Sequence, residues 1–338
     1  MEYKLGVVGS PIEHSLSPEI HNIFAQELNI KISYEKYLVN AGELSSFCNQ
    51  FFDNPNALGL NVTLPLKKEV LELDANKSSI VNKIHSANTI KKSNESLYLH
   101  STDGQGLVND FSNKGISIKD KKILILGAGG SAASIIPAIS GFNPSSIEIA
   151  NRSEENAKKL IRRFGESVSL HEYELSPDIV INCSSAGHDS TVPKFFNNLK
   201  ISKDCILYDL SYGNPHKPTR NWFKKFSQYI YSGEGMLVEQ AALSFEFWFE
   251  KKPTTKNIIK EILWISSNWS SLQEPFVQNA KPLIELQSPM TMKKSSVLVV
   301  ILKSLNLKIL KKKTKLQSFK SLGILLLNFP LNSPRTKL

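Results

Sequence analysis

The sequence predicts an α/β protein, with an N-terminal α/β domain and a Rossmann-type domain facing each other across a cleft. Short apolar runs alternate with helix-like segments through most of the chain. A continuous apolar strand at Lys122–Leu126 runs into the glycine-rich turn Gly127–Ser131, as in a dinucleotide-binding unit. Upstream of this turn, polar side chains stand where predicted strands end, between Asn61 and Asp103. This order places a substrate half before a cofactor half.

The first hundred residues predict one α/β unit. Lys4–Val8 is apolar enough for a buried strand, and Pro18 suits the first position of a helix for which Ser17 would be the N-cap. That helix is predicted over Pro18–Leu28. The other predicted elements are strands at Tyr34–Val39 and Ala57–Val62, helices at Leu44–Phe52 and Lys67–Leu73, and a hairpin of Thr89–Lys91 with Leu97–His100.

A second unit is predicted from a helix that begins near Gly104. Its predicted strands are Lys122–Leu126, Ile147–Ala150, Asp178–Asn182 and Ile206–Leu210, and its predicted helices are Ser131–Ser140, Leu237–Phe249 and Lys256–Trp269. The expected domains are a substrate-binding domain over 1–103, a Rossmann domain over 104–235, helices over 236–272 that return to the first domain, and a basic tail over 273–338.

The charge of the chain is concentrated at its C-terminal end. The 338 residues carry a net charge of +10, yet residues 286–338 hold eleven Lys or Arg and no Asp or Glu. The first 285 residues have 30 basic and 31 acidic side chains, so they give no reason to expect nucleic-acid binding. Three interpretations of the tail stay open: an extension from read-through or a shifted frame, a disordered or weakly helical appendage touching anionic partners, or a specific nucleic-acid or membrane module.

Cysteine and histidine usage predicts a reduced, metal-free protein. Three widely spaced cysteines, Cys48, Cys183 and Cys205, argue against a disulfide framework. His14, His21 and His85 lack metal-ligand spacing. The sequence shows neither a signal peptide nor an apolar run of about 20 residues, so a cytoplasmic location without membrane insertion is expected.

The glycine-rich turn predicts a cofactor site. Glycines let a backbone approach a diphosphate, and free amides at a helix start favour an anion, although such a turn is often only a tight strand-to-helix connection. The next strand ends without the acid that commonly holds the ribose of NAD. Arg152 could instead pair with a 2′-phosphate, which favours NADP, unless it is a plain surface charge or Glu154 and Glu155 point inward. The predicted cofactor residues are Gly127, Ala128, Gly129, Gly130, Ser131, Asn151, Arg152 and Ser153.

Lys67 and Asp103 form the candidate chemical pair. Reducing a ketone needs a hydride on carbon and a proton on oxygen, and a cationic lysine can polarise the carbonyl and donate that proton. Asp103 could hold the ammonium in place. The competing interpretations are a solvated Lys67, an Asp103 that only caps the following helix, and turn or cap roles for Asn61 and Asn88.

Two hydroxyls near the N-terminus form a weaker candidate site. Ser15 and Ser17 lie next to a predicted helix start, where they could bind a carboxylate. Alternatively, one of the serines is a simple N-cap.

Several strings together resemble the shikimate dehydrogenase family over roughly residues 3–272. They are Ser15-Leu16-Ser17-Pro18, Asn61-Val62-Thr63-Leu64-Pro65-Leu66-Lys67, Ala87-Asn88-Thr89, Thr102-Asp103-Gly104, Gly127-Ala128-Gly129-Gly130, Asn151-Arg152-Ser153, Tyr208-Asp209 and Gly235-Met236-Leu237-Val238-Glu239-Gln240-Ala241. The resemblance implies NADPH-dependent reduction of 3-dehydroshikimate with Lys67 as acid and base. It implies substrate contacts from Ser15, Ser17, Thr63, Asn88, Asp103, Tyr212 and Gln240, and places Leu210 and Gly235 near the nicotinamide.

The chain departs from the family pattern at three positions. Ser101 replaces an asparagine, Asn156 replaces a basic residue, and Ser232 replaces an aspartate. The loss of a basic residue keeps an NAD-accepting quinate/shikimate dehydrogenase open as an alternative. A non-catalytic metabolite sensor acting through the basic tail is the alternative from another class. The expected assembly is a monomer or a homodimer.

Overall fold

The computed structural model describes residues 1–174, 176–184, 186 and 192–262. These residues form two six-stranded sheets, one in each half of the chain. Each sheet buries its own aliphatic and aromatic core. The predicted α/β fold class is confirmed.

The N-terminal sheet has the strand order β2-β1-β3-β5-β6-β4. Strands β1, β2 and β3 run parallel, whereas β5 is antiparallel to β3 and to β6. Parallel strands with helices in the connections bring the ends of β1 and β3 to one edge of the sheet. The elements are β1 (Tyr3–Gly9), α1 (Ser17–Glu27), β2 (Ile32–Leu38), α2 (Leu44–Phe52), β3 (Ala57–Val62), β4 (Ala75–Lys77), α3 (Ser79–Ile84), β5 (Thr89–Ser93) and β6 (Ser96–His100).

The second sheet is fully parallel, with the order β12-β11-β10-β7-β8-β9. The order reverses between β7 and β10, the place where doubly wound sheets bind ligands beyond their carboxyl ends. The elements are α4 (Asp103–Lys114), β7 (Lys122–Leu126), α5 (Gly130–Ser140), β8 (Ser146–Ala150), α6 (Glu154–Phe164), β9 (Ser169–Leu170), β10 (Ile179–Asn182), β11 (Ile206–Asp209), α7 (His216–Phe223), β12 (Ile230–Tyr231) and α8 (Glu234–Phe249). Helix α8 returns to pack on α1 and α4.

Two of the sequence predictions are wrong in detail. The predicted helix Lys67–Leu73 is a turn followed by a short 3₁₀ helix at Glu69–Glu72. The Lys67 carbonyl accepts the amide of Ala87 instead of an amide further along a helix. Ser17 is not an N-cap, because α1 begins one residue earlier than predicted and has Leu16 at the cap position.

The sequence patterns did not predict α6 or several short elements, namely β4, α3, β9, α7 and β12. Strands β9 and β12 have two residues each and exist only through pairing with a neighbour. The predicted helix Lys256–Trp269 is helical over 256–262, and its remainder lies outside the described residues, as does the basic tail. Within the described part of the chain, no helix has the length and apolar character needed to cross a membrane.

Candidate active site

A lysine and an aspartate meet at the edge of the N-terminal sheet. Lys67 lies in the turn after β3, and Asp103 is the first residue of α4. The distance from Lys67 Nζ to Asp103 Oδ2 is 2.5 Å, and the side chains are only 13% and 6% exposed. Thr102 occupies the N-cap position and no side chain caps this helix. The interpretations of Asp103 as a cap and of Lys67 as a solvated charge are therefore wrong.

Asn88 joins this pair to the last long helix. Its Oδ1 accepts the backbone amide of Thr102 at 2.9 Å and the Thr89 hydroxyl at 3.1 Å. Since a backbone N–H can only donate, the amide orientation of Asn88 is fixed. Its Nδ2 then lies 2.9 Å from Asp103 Oδ1 and 3.1 Å from Gln240 Oε1. Four predicted site residues, Lys67, Asn88, Asp103 and Gln240, are thus brought together.

A buried serine lies behind Asn88. Ser244 Oγ is 2.9 Å from the Thr89 hydroxyl and 3.2 Å from the Thr102 hydroxyl, and it accepts Asn61 Nδ2 at 3.0 Å. Ser244 was not predicted as a site residue from the sequence. One signal was present, because Ser244 stands four residues after Gln240 and therefore on the same face of α8.

Asn61 is an interior residue and not a turn residue. Its Oδ1 accepts the Tyr34 hydroxyl at 2.8 Å and His21 Nε2 at 3.1 Å. Burial lowers the pKa of His21 to about 3, so the ring is neutral at physiological pH and stacks on Tyr34 at 4.4 Å. The asparagine is therefore held in one orientation from both sides.

The predicted carboxylate site lies at the start of α1. Ser15 Oγ donates to Ser17 Oγ at 3.1 Å, and Tyr212 packs against the apolar cluster that contains Leu16. Burial raises the pKa of Tyr212 to about 12, which keeps its hydroxyl protonated and able to donate. Thr63 begins the turn after β3, with its amide donating to the carbonyl of Val8.

The glycine-rich turn lies where the strand order of the second sheet reverses. Gly127 has φ +106°, and a Cβ there would lie 2.9 Å from the Ser184 amide nitrogen, so other residues would be strained. Helix α5 starts after Gly129 without a side-chain cap, which leaves its first amides available to an anion. A Cβ on Gly130 would lie 3.5 Å from Lys67 Cβ, so this turn meets the lysine turn.

The residues predicted to bind a 2′-phosphate follow β8. The Gly127 amide donates to the Ala150 carbonyl at 2.8 Å, which places Asn151–Ser153 beside the glycine-rich turn. Arg152 is exposed and pairs with no other described residue. Glu154 and Glu155 form ion pairs with basic residues of their own helix. Glu154 pairs with Lys158 at 2.6 Å, and Glu155 pairs with Arg162 at 2.8 Å. They do not oppose a phosphate as unpaired charges.

The loop after β11 is anchored by a buried pair. Asp209 Oδ2 lies 2.8 Å from His216 Nδ1, and Asp209 Oδ1 accepts Asn182 Nδ2 at 2.9 Å. Burial raises the pKa of Asp209. This pair spans the loop that carries Leu210 and Tyr212. Gly233 packs against the Leu210 carbonyl, and Gly235 packs on Asp110 at the start of α8.

Comparison with known proteins gives matches along the described chain. The family descriptions that match are "Shikimate dehydrogenase substrate binding domain" at residues 7–90, "Shikimate / quinate 5-dehydrogenase" at 110–213 and "Shikimate 5'-dehydrogenase C-terminal domain" at 233–263. The chain belongs to the shikimate dehydrogenase family.

Individual shikimate dehydrogenases match most of the chain. The NADP(+) enzyme of Vesicomyosocius okutanii is 39% identical over 269 residues, covering 77% of this chain and 99% of that protein. The NADP(+) enzyme of Legionella pneumophila is 37% identical and is covered to 98%. A Listeria monocytogenes shikimate 5-dehydrogenase, solved with shikimate and NAD, is 26% identical with a TM-score of 0.65, covering 78% of this chain and 96% of that one.

The departures from the shikimate dehydrogenase pattern lie outside the lysine–aspartate pair. Asn156 is exposed on α6, and Lys158 two residues later pairs with Glu154. Ser101 is buried between β6 and α4. Among the described residues, no group of three or more His, Cys, Asp or Glu is arranged to hold a metal ion.

Proposed function

We propose that this chain catalyses the reversible NADPH-dependent reduction of 3-dehydroshikimate to shikimate, a step of aromatic amino acid biosynthesis. The observation that carries the proposal is the Lys67–Asp103 pair at 2.5 Å, lying beside the glycine-rich turn of a Rossmann sheet. The NADP(+) enzymes at 37–39% identity support it, because they share nearly their full length with this chain.

The cofactor residues present fit NADP(H). The uncapped start of α5 would hold the diphosphate, and Arg152 with its neighbours Asn151 and Ser153 would hold the 2′-phosphate. Leu210 and Gly235 would border the nicotinamide. When bound, NADPH supplies the hydride that the carbonyl carbon needs.

Lys67 supplies the proton. Its ammonium donates a hydrogen bond to the ketone oxygen, stabilises the negative charge that develops there, and transfers a proton to it. Asp103 fixes the ammonium through Oδ2, while its Oδ1 is fixed by Asn88. In the reverse direction Lys67 accepts the proton of the hydroxyl.

The substrate would be held at two ends. Ser15, Ser17 and Tyr212 would bind the carboxylate with hydroxyl donors. The ring hydroxyls would meet polar side chains at the opposite end, namely Thr63, Asn88, Asp103 and Gln240. Because the amide of Asn88 is fixed by its neighbours, this end presents one preset pattern of donors and acceptors.

The predicted organisation and location belong to this proposal. We assign substrate binding to 1–103, cofactor binding to 104–235 and a returning helical segment to 236–272, with a basic tail over 273–338 and a monomer or homodimer in the cytoplasm. The two sheets and the return of α8 to α1 support these boundaries.

An assay with both cofactors tests the proposal. The purified full chain is given 3-dehydroshikimate with NADPH or NADH, and shikimate or quinate with NADP⁺ or NAD⁺, while absorbance at the nicotinamide band is followed. We expect NADPH to support turnover of 3-dehydroshikimate with a kcat/KM at least tenfold above NADH. Equal rates with both cofactors together with quinate oxidation would favour the quinate/shikimate alternative. Shikimate binding without any turnover would favour the non-catalytic sensor.

A further inference from the structure

Ser86 carries a buried hydroxyl that the proposed mechanism does not use. It lies in the turn between α3 and β5 and is 1% exposed. Its Oγ has no hydrogen-bond partner among the described residues. Burying a hydroxyl without a hydrogen bond costs free energy, and a bound ligand can supply the missing partner.

The hydroxyl faces the start of α5 across the boundary between the two halves. A Cβ built on Gly130 would lie 3.0 Å from Ser86 Oγ and 3.5 Å from Lys67 Cβ. The amide of Ala87, the residue after Ser86, donates to the Lys67 carbonyl at 3.0 Å. This bond joins the serine segment to the lysine turn, and both lie against Gly130. A side chain on residue 130 would fill the space in front of the hydroxyl.

The start of α5 is an anion site in its own right. The helix has eleven residues, its first amides have no side-chain cap, and the positive end of its dipole points at the turn. The Ser86 hydroxyl would add one more hydrogen-bond donor beside these amides. Negatively charged oxygen is the acceptor that would gain most from it.

We propose that Ser86 is a cofactor-positioning residue whose hydroxyl donates a hydrogen bond to the diphosphate segment of NADP(H) at Gly129–Ser131. This inference rests on the proposed function for the identity of the cofactor. The bond would cross from the substrate half to the cofactor half next to Lys67. It therefore ties the position of the cofactor to the segment that carries the proton donor.

The substitution Ser86→Ala separates this role from a structural one. It removes one oxygen atom that has no hydrogen-bond partner among the described residues, so the melting temperature without ligand should stay level or rise by a few degrees. The dissociation constant of NADPH, measured by titration calorimetry without substrate, should rise about tenfold because a charge-assisted hydrogen bond is lost. A serine that only filled space would not weaken NADPH binding while leaving the melting temperature of the ligand-free protein level or higher.

Two controls test whether the loss of affinity is specific to Ser86 and to the diphosphate. Thr219→Val removes another buried hydroxyl that lacks a partner among the described residues, in α7, and should leave NADPH affinity unchanged. Adenosine 2′-monophosphate has no diphosphate, so its affinity should be the same for the Ser86→Ala variant and the unaltered chain.

The outcomes distinguish the inference from the function on which it rests. An unchanged NADPH dissociation constant in the Ser86→Ala variant, or an equal loss of affinity for adenosine 2′-monophosphate, would overturn the role of Ser86 alone. Failure of the unaltered chain to bind NADPH would overturn the proposed function together with this inference.

Discussion

At the scale of single residues, the site depends on side chains whose hydrogen-bonding directions are fixed by neighbours. Asn88 is the central case, since a backbone amide and a hydroxyl occupy its oxygen and leave its nitrogen facing Asp103. The aspartate in turn directs Lys67. A preset geometry of this kind lowers the reorganisation needed when charge develops on the substrate oxygen.

Replacing the lysine tests its assigned chemistry. Lys67→Ala should lower kcat by about 10²- to 10⁴-fold because the proton donor is lost. NADPH affinity, measured by titration without substrate, should change by less than about threefold, because binding of the diphosphate is assigned to backbone amides and Ser86 and not to Lys67. The adjacent exposed Lys68 offers a matched control, and Lys68→Ala should retain full turnover. Full activity in the Lys67 variant would remove this residue from the mechanism.

His21 should make the free energy of unfolding depend on pH. Burial depresses its folded pKa to about 3, whereas an unfolded histidine titrates near 6.5. Between these two pKa values the unfolded state binds more protons than the folded state. The contribution of His21 to the free energy of unfolding is therefore fully present above pH 6.5 and is lost as the pH falls towards 3. Relative to His21→Gln, the unaltered chain should lose up to about 1.4 kcal/mol of unfolding free energy per pH unit below pH 6.

Urea unfolding at pH 7, 6 and 5 measures this slope. The exposed His14 provides the control, and His14→Gln should keep the slope of the unaltered chain. Parallel pH profiles for the His21→Gln variant and the unaltered chain would contradict the assignment.

At the scale of elements, the close approach of α4 and α8 sets the position of Gln240. A Cβ on Gly106 would lie 2.7 Å from Gln240 Cβ and 2.8 Å from the Gln240 amide nitrogen. The absence of a side chain at residue 106 lets the two helices approach to this distance. It therefore brings Gln240 within reach of Asn88.

Enlarging this glycine should push the helices apart. Alanine is favoured over glycine in a helix by about 1 kcal/mol, but contact with the backbone of Gln240 should outweigh this gain and cost about 1–3 kcal/mol net. We expect Gly106→Ala to lower the melting temperature by several degrees and to raise KM for the substrate. Gly141→Ala is the control, because the nearest atom to its Cβ would be 3.6 Å away and its φ is −63°. A Gly106 variant as stable and active as the unaltered chain would show that α8 can shift freely.

At the scale of the whole molecule, the proposed chemistry lies entirely within the nearly neutral part of the chain. All predicted site residues precede residue 241, and the family matches end at residue 263. The excess of positive charge lies in residues 286–338. Charge and proposed catalysis are thus separated along the sequence.

Removing residues 286–338 tests this separation. The shortened chain should keep its kcat/KM within about twofold and should lose retention on a cation exchanger at neutral pH, because its net charge falls from +10 to −1. Substitution of the eleven basic residues by glutamine in the full-length chain provides a control for length. A large loss of activity in the shortened chain alone would give the segment a structural role.

The α/β class, the position of the glycine-rich turn and the candidate lysine and aspartate could all be predicted from the amino-acid sequence. These features are local, since strand and helix periods, turn residues and motif spacing are readable from neighbouring positions. Three features could be seen only in the folded chain: Asp103 faces Lys67 and does not cap its helix, Ser244 and His21 hydrogen-bond to Asn61 behind the site, and Ser86 faces Gly130. Each of these depends on contacts between segments far apart in the chain, whose partners local sequence patterns do not specify.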